Sequence, residues 1–215
     1  MSLSLLAAAC ASGGEGSGGA SAKVTCAALP APDPALSRQM DPEAVDQWLV
    51  DAAILDAVNR ERCRRRIAPL AADPALARAA SMHSGDMVRH GFFDHASPVE
   101  GRPSLRQRAA LAGAAYPRLA ENLAEMPLFD TADRHVFVLD RAACRFALSP
   151  NGPALPRFSY AQAGQAAVDI WMDSSGHRRN LLSPELTRHG AGAAIRPDPE
   201  KCGQLVIVQD FAGPQ

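Results

Sequence analysis

The sequence predicts an α+β domain built from packed layers, and three observations carry that prediction. Stretches with a 3.6-residue apolar rhythm occupy the first half of the chain and return around Gln165. The chain closes on GAGAAIRP and QLVIVQDF, two strand-like runs joined by the turn-prone DPEKCG, with further strand expected in the middle. Its 215 residues, 47% of them hydrophobic, suffice for one core plus a tail or insertion.

At the start, Leu3, Leu5, Leu6, Ala7, Ala8 and Ala9 form a short apolar run that ends at Cys10. Small residues directly before a cysteine suit a bacterial lipoprotein cleavage site, with Cys10 lipidated in the mature chain. A secretion signal cleaved without a lipid is the alternative. The run is far short of the ~20 residues that a membrane span needs. Residues 1–10 are therefore expected to be a signal or lipoprotein segment. Residues 11–40 are expected to be a flexible tether, Gly/Ser-rich in ASGGEGSGGASAK and Pro-rich beyond it. The domain is expected over 41–215.

Asp41-Pro42 reads as an N-cap followed by proline at the first helical position. Val45, Trp48, Leu49, Ala52, Leu55 and Val58 then continue a helix to about Arg65. Asp73-Pro74 repeats the start signal, Leu76, Ala80, His83 and Met87 share a face, and Gly91 supplies a left-handed stop. The following FFDHASP is irregular. A shorter helix is expected over 105–112, with Gly113 as its stop, and 121–124 reads as the edge of an element. Residues 126–158, with Pro127, Pro150, Pro153 and Pro156, read as an insertion carrying one element of its own. Ala161, Gln165, Val168, Trp171 and Met172 mark a further amphipathic helix, which DSSGHRRNLLSP closes with a short helical turn.

Charge narrows the function classes. A net charge of -1 lacks the basic excess of a nucleic-acid binder. The local cluster Arg60, Arg62, Arg64, Arg65 and Arg66 reads as the solvated face and end of the first helix. There is no G-x-S-x-G elbow, no H-E-x-x-H and no phosphate-cradling glycine loop. Beyond Cys10, four cysteines remain, an even number that suggests two disulfides in an exported protein. Three pairings stay open. Cys26–Cys63, fastening the N-terminal extension to the first helix, and Cys144–Cys202, fastening the insertion to the last hairpin, are the working expectation.

The motifs resemble a known family. AVNRERCRRRIAPLAADPALARAASMHSGDMVRHGFFDHASP is similar to the first half of bacterial CAP domains (the cysteine-rich secretory, antigen 5 and pathogenesis-related 1 superfamily). AENLA is similar to its E-N-[IL]-A, IWMDSSGHRRNLLSPELTRHGAG to its W-M-x-S-x-G-H-R-x-N-[IL]-L and following G-x-G, and VIVQDFAG to its closing strand. The blocks occur in family order over roughly residues 45 to 213. The resemblance implies a three-layer α-β-α sandwich. It also implies a cavity in which His95, Glu121 and His177 take the places of family His and Glu residues. The family's second Glu has no clear match, and Asp173 is the candidate stand-in.

Two imidazoles and a carboxylate from separate blocks admit three readings. His95 and His177 could ligate Zn2+ with an open position for water. Glu121 could orient a histidine acting as general base. The three could instead be a hydrogen-bonded cluster that organises the cavity floor. Trp171 and Leu181 are expected as apolar walls, Asn122 and Asn180 as loop-pinning amides, and Ser174 or Ser175 as a helix N-cap rather than a nucleophile. The leading expectation is a monomeric binding or interaction module outside the cytoplasm, touching membrane only through an N-terminal lipid. Its ligand would be an apolar small molecule, an envelope component or a partner protein. A hydrolase using the His/Glu cluster, with or without zinc, is the alternative.

Overall fold

The structure, a computed structural model, describes residues 25–131 and 134–214. The signal segment, the expected lipid site Cys10 and the first part of the tether lie outside the described residues. Among the described residues, five α-helices and two sheets follow: α1 (Gln47–Arg64), β1 (Ala71–Ala72), α2 (Pro74–His90), α3 (Leu105–Leu111), β2 (Arg118–Pro127), β3 (Phe137–Asp140), β4 (Arg145–Ala147), α4 (Tyr160–Asp173), α5 (Ser175–Leu181), β5 (Arg188–Arg196) and β6 (Gln204–Gly213). The main sheet has the order β1-β5-β6-β2. β6 runs antiparallel to both neighbours and β1 parallel to β5.

Alternation along the strands creates the three layers. Ala124, Ala191, Ala193 and Ile207 face α1 and α4, joining Leu49, Ile54 and Val168 in the main core. Leu123, Val206 and Val208 face the other way and pack on Ala80 and Met87 of α2. This is the α-β-α sandwich that the motifs imply. Two glycines set the spacing of one layer. A Cβ on Gly190 would lie 2.1 Å from Ala77 N, and one on Gly192 would lie 2.4 Å from Ser81 N. The bare backbone of β5 therefore lets α2 lie directly on the sheet.

Local signals place most helix ends. The Asp73 side chain accepts from Ala75 N and Leu76 N, and Gly91 closes α2 at φ 67°. Ser104 and Gln107 form a reciprocal capping box on α3. One start is misplaced. α1 begins at Gln47, capped by Asp46, and not at Pro42. The Asp41 carboxylate reaches only Glu43 N in an isolated turn, while Asp46 N donates to the Tyr160 hydroxyl at 2.9 Å and its side chain caps Leu49 N.

Both working disulfides are present, Cys26–Cys63 and Cys144–Cys202. The first corrects the expected extent of the tether. Residues 25–40 lie on the domain, with single 3-10 turns at Cys26–Ala28 and Pro34–Ser37 and with Leu36 and Met40 buried. The second ties the turn of the β3–β4 hairpin, the insertion's own element, to the turn between β5 and β6. Arg62 also departs from expectation. It is buried, not solvated, and donates to the carbonyls of Ala68, Leu181, Ser183 and Leu186. Burial pushes its guanidinium pKa down to about 10. It thus anchors the segment after α5. Among the described residues no helix is long and apolar enough to cross a membrane.

Candidate functional site

The edge strand β2 is the floor of the site, and both helical layers reach round it. On the α2/α3 side, the irregular segment after Gly91 carries His95. The Asp94 carbonyl accepts from His83 Nε2 at 3.0 Å, and the His95 carbonyl accepts from Arg108 Nη2 at 3.2 Å. Arg102 grips Asp86 through Nε and Nη2 and closes the base of the loop. So held, His95 donates from Nδ1 to Glu121 Oε1 at 2.8 Å. The second carboxylate oxygen, Oε2, accepts from Arg108 Nη2 at 2.7 Å and lies 4.0 Å from His83 Nε2. Glu121, His83 and Arg108 are buried, whereas the His95 side chain is 57% exposed. The carboxylate therefore fixes the ring and leaves Nε2 for the outside.

On the α4/α5 side, His177 sits in the first turn of α5. Asn122 donates from Nδ2 to the His177 carbonyl at 3.3 Å. Asn180 donates to the Glu121 carbonyl at 3.2 Å and to Asn122 Oδ1 at 2.9 Å. These amides dock α5 on the edge of β2 and bring the His177 ring to 6.5 Å from that of His95, centroid to centroid, at a tilt of 58°. His177 Nδ1 is buried with no hydrogen-bond partner among the described residues, so the outward chemistry of this ring falls to Nε2.

The two imidazoles differ in proton affinity. The hydrogen bond to Glu121 raises the His95 pKa above the ordinary histidine value, against a smaller opposing effect of burial. Burial, and then the neighbouring charge of His95, lowers that of His177. Burial alone would push the Glu121 carboxyl up, but the His95 hydrogen bond and the Arg108 charge outweigh it and hold the group below its usual value. His83 is lowered by burial and is a packed core histidine. A ring that holds its proton more tightly than an ordinary histidine thus stands opposite one that holds it less tightly.

Of the expected site residues, His95, Glu121, His177 and Asn122 come together. Asp173 does not. It is exposed at the end of α4, with no hydrogen bond or ion pair to the cluster among the described residues. Trp171 and Leu181 are wholly buried core residues rather than cleft walls, and the indole of Trp171 donates to the Leu123 carbonyl. Ser174 occupies the N-cap position of α5 without a side-chain capping hydrogen bond. Two members were missed. Arg108 lies in a short helix where nothing local marks it as buried. Asp210 carried a readable signal, as an acidic residue inside the otherwise apolar LVIVQDF.

An open zinc centre takes three protein ligands. His95 and His177 supply two, Glu121 has both oxygens engaged, and Asp173 is elsewhere. Among the described residues no group of three or more His, Cys, Asp or Glu side chains is placed to hold an ion. The donors present do not fit a zinc centre of their own. A separate cavity of about 760 Å3, lined by Leu29, Pro32, Leu36, Trp48 and Leu55 among others, lies between the N-terminal arm and α1 and includes none of the cluster.

Comparison with known proteins places this geometry in context. The profile of the cysteine-rich secretory protein family, CAP, matches residues 55–211. The chain is 27% identical over 139 residues to the uncharacterized protein YkwD of Bacillus subtilis, covering 65% of this chain and 40% of that one. It is 28% identical over 146 residues to the uncharacterized membrane protein YlbC of the same organism, covering 68% and 32%. The chain thus spans less than half the length of these relatives. Among solved structures, an outer surface protein from Borrelia burgdorferi superposes with a TM-score of 0.52 at 12% identity, covering 79% of this chain and 96% of that one. An extracellular protein containing a SCP domain from Bacillus anthracis gives 0.49 at 23% identity, over 76% and 40%.

Proposed function

We propose that this chain, which belongs to the cysteine-rich secretory protein (CAP) family, is an extracytoplasmic binding module whose ligand seat is the His95–His177 edge of the sheet. The observation that carries the reading is the pinning of one imidazole by a buried carboxylate beside a second, unpinned one. His95, its proton affinity raised, is the better N–H donor from Nε2, and His177, its affinity lowered, is the better acceptor. Such a pair suits an oxygen-bearing group of an envelope component, a small molecule or a partner protein. Two disulfides support an oxidising compartment outside the cytoplasm. A lipid on Cys10 would hold the domain at a membrane, and a cleaved secretion signal would release it.

The unlike pKa values of the two rings favour one further reading, hydrolysis, with neutral His177 as general base for water and cationic His95 as acid. No activated serine or cysteine enters this scheme. The two readings separate in one experiment. Imidazole 1H–15N resonances of His95 and His177 are followed while soluble muropeptides and short-chain fatty acids are added, and the probes are recovered for mass analysis. Binding moves both histidines together and returns the probe intact, and His95→Ala abolishes the shifts. Turnover that disappears in His95→Ala replaces the binding reading with the hydrolase. Shifts that persist in His95→Ala, or that arise only around Trp48, refute this seat.

A further inference from the structure

Asp210 stands directly across from Glu121 in the β2–β6 pairing. Opposed residues of neighbouring strands present their side chains on the same face, so the two carboxyl groups share the α2/α3 side of the sheet. The residue paired with Asp210 on its other flank is Gly190, which has no side chain to offer. Asp210 is wholly buried, and neither of its oxygens has a hydrogen-bond partner among the described residues. The charged groups covering this face are few. Arg108, from α3, donates through Nη2 to Glu121 and the His95 carbonyl, while its Nε and Nη1 are buried without partners among the described residues. His83, from α2, donates from Nε2 to the Asp94 carbonyl. Asp86, also on α2, is taken by Arg89 and Arg102. Two carboxylates this close, one of them with no donor, would be heavily destabilising, whereas a carboxylic acid beside a carboxylate supplies its own donor.

We propose that Asp210 is a positioning residue that remains a carboxylic acid, shares its proton with Glu121 and so holds that carboxylate against His95. The pair then carries one negative charge, and His95 receives it. Burial first, and the adjacent Glu121 second, push the Asp210 carboxyl well above the usual range, in keeping with this arrangement. Glu121 moves the opposite way, because His95 and Arg108 both draw on its charged form. The inference rests on the His95–Glu121 pair as the core of the site, and it concerns the ligand-free protein.

The test uses the full chain without ligand, so its failure is separable from failure of the binding reading. With 13C-labelled aspartate, the Cγ shift of Asp210 is followed from pH 5 to 8, and His95 is titrated through its ring nitrogens. The expected Asp210 signal is that of a carboxylic acid throughout. Asp210→Asn, whose amide can replace the donated proton, should leave the His95 pKa within a few tenths of a unit of wild type. Asp210→Ala should lower it, because Glu121 loses its support. A purely space-filling role would leave the His95 titration alike in all three proteins. An Asp210 ionised at pH 7 and neutralised by Arg108 would show a carboxylate Cγ signal in wild type. It would also drop the His95 pKa by about one unit, tenfold in proton affinity, in Asp210→Asn. Either result overturns the proposal. A carboxylate carbon signal in wild type overturns the proposal even where a variant fails to fold.

Discussion

Arg108→Met removes a buried cation bonded to the site carboxylate, and its effect can be worked from the geometry. Arg108 is fully buried, 2.7 Å from Glu121 Oε2 and 3.2 Å from the His95 carbonyl. Methionine fills similar volume but leaves Glu121 buried with His95 as its remaining ionic partner. Breaking one half of a buried pair costs about 3–5 kcal/mol. At about 2–4 °C per kcal/mol for a chain of this size, the expected fall in Tm at pH 7 is roughly 6–20 °C by circular dichroism. The sign of the pH dependence follows from Glu121. Its folded pKa is depressed, so its contribution is present above the unfolded pKa and is lost as pH falls through the folded value. The gap between wild type and Arg108→Met should therefore be widest near pH 7 and narrow as pH falls through the ordinary carboxylate range and below it, as Glu121 protonates first in the variant and then in wild type. A variant melting within about 2 °C of wild type at pH 7, or a gap that widens as pH falls, would refute this account of the site.

Further expectations concern the frame around the cluster, the disulfides and the N-terminal segment. Asn180→Ala removes the donor to the Glu121 carbonyl and to Asn122, at about 1–2 kcal/mol. In imidazole spectra it should shift His177 while leaving the His95 titration in place, and equal movement of both would contradict separate anchoring. Replacing Cys26 and Cys63 together by serine opens a loop with a sequence separation of 37, for which chain entropy suggests about 4 kcal/mol by urea unfolding. Non-reducing peptide maps should show the Cys26–Cys63 and Cys144–Cys202 pairs, and free thiols there would remove the compartment argument. Cys10→Ser should move the protein from the membrane to the soluble fraction of cells, and unchanged association would exclude a lipid at Cys10.

Signals that act within a few residues read correctly from the sequence. Asp73-Pro74 and Gly91 bracket α2, and Gly113, at φ 86°, follows the end of α3. Where two local signals compete, sequence alone chooses wrongly. Asp41-Pro42 and Asp46 are both credible starts for α1, and the choice falls to Asp46 through Tyr160, distant in the chain. From sequence β2 reads only as an element edge, because RLAENLAEMP is poor in the β-branched and aromatic residues that mark strands. Its strand identity comes from ten-residue pairing with β6. The same limit governs the site. His95, Glu121 and His177 are far apart in sequence, and only the resemblance of whole blocks suggested that they meet. The resemblance gave no site role to Arg108, or to Asp210 within the closing block VIVQDFAG; both roles arise from burial beside Glu121. Asp173 was drawn in by its nearness to the Trp171 block, but the end of α4 leaves it exposed.

The position of the cluster at the sheet edge follows from a problem that any open sheet must solve. An edge strand presents unpaired carbonyls that invite another strand. In β2 the Glu121 and Leu123 carbonyls are turned from β6, and each receives a side-chain donor, Asn180 Nδ2 at 3.2 Å and Trp171 Nε1 at 2.8 Å. Both donors come from α4 and α5, so the helices that close the edge also fix where α5 begins. His177 lies in that first turn and reaches the edge as a consequence. From the opposite face, Glu121 projects into the α2/α3 layer and collects His95 through a loop fastened by His83 and Arg108. Alternation along one strand thus assigns the two imidazoles to different layers. Asn122, adjacent to Glu121 and facing the other side, links them by holding the His177 carbonyl. Each ring can therefore be perturbed through its own anchor, Glu121 with Asp210 for His95, and Asn122 with Asn180 for His177.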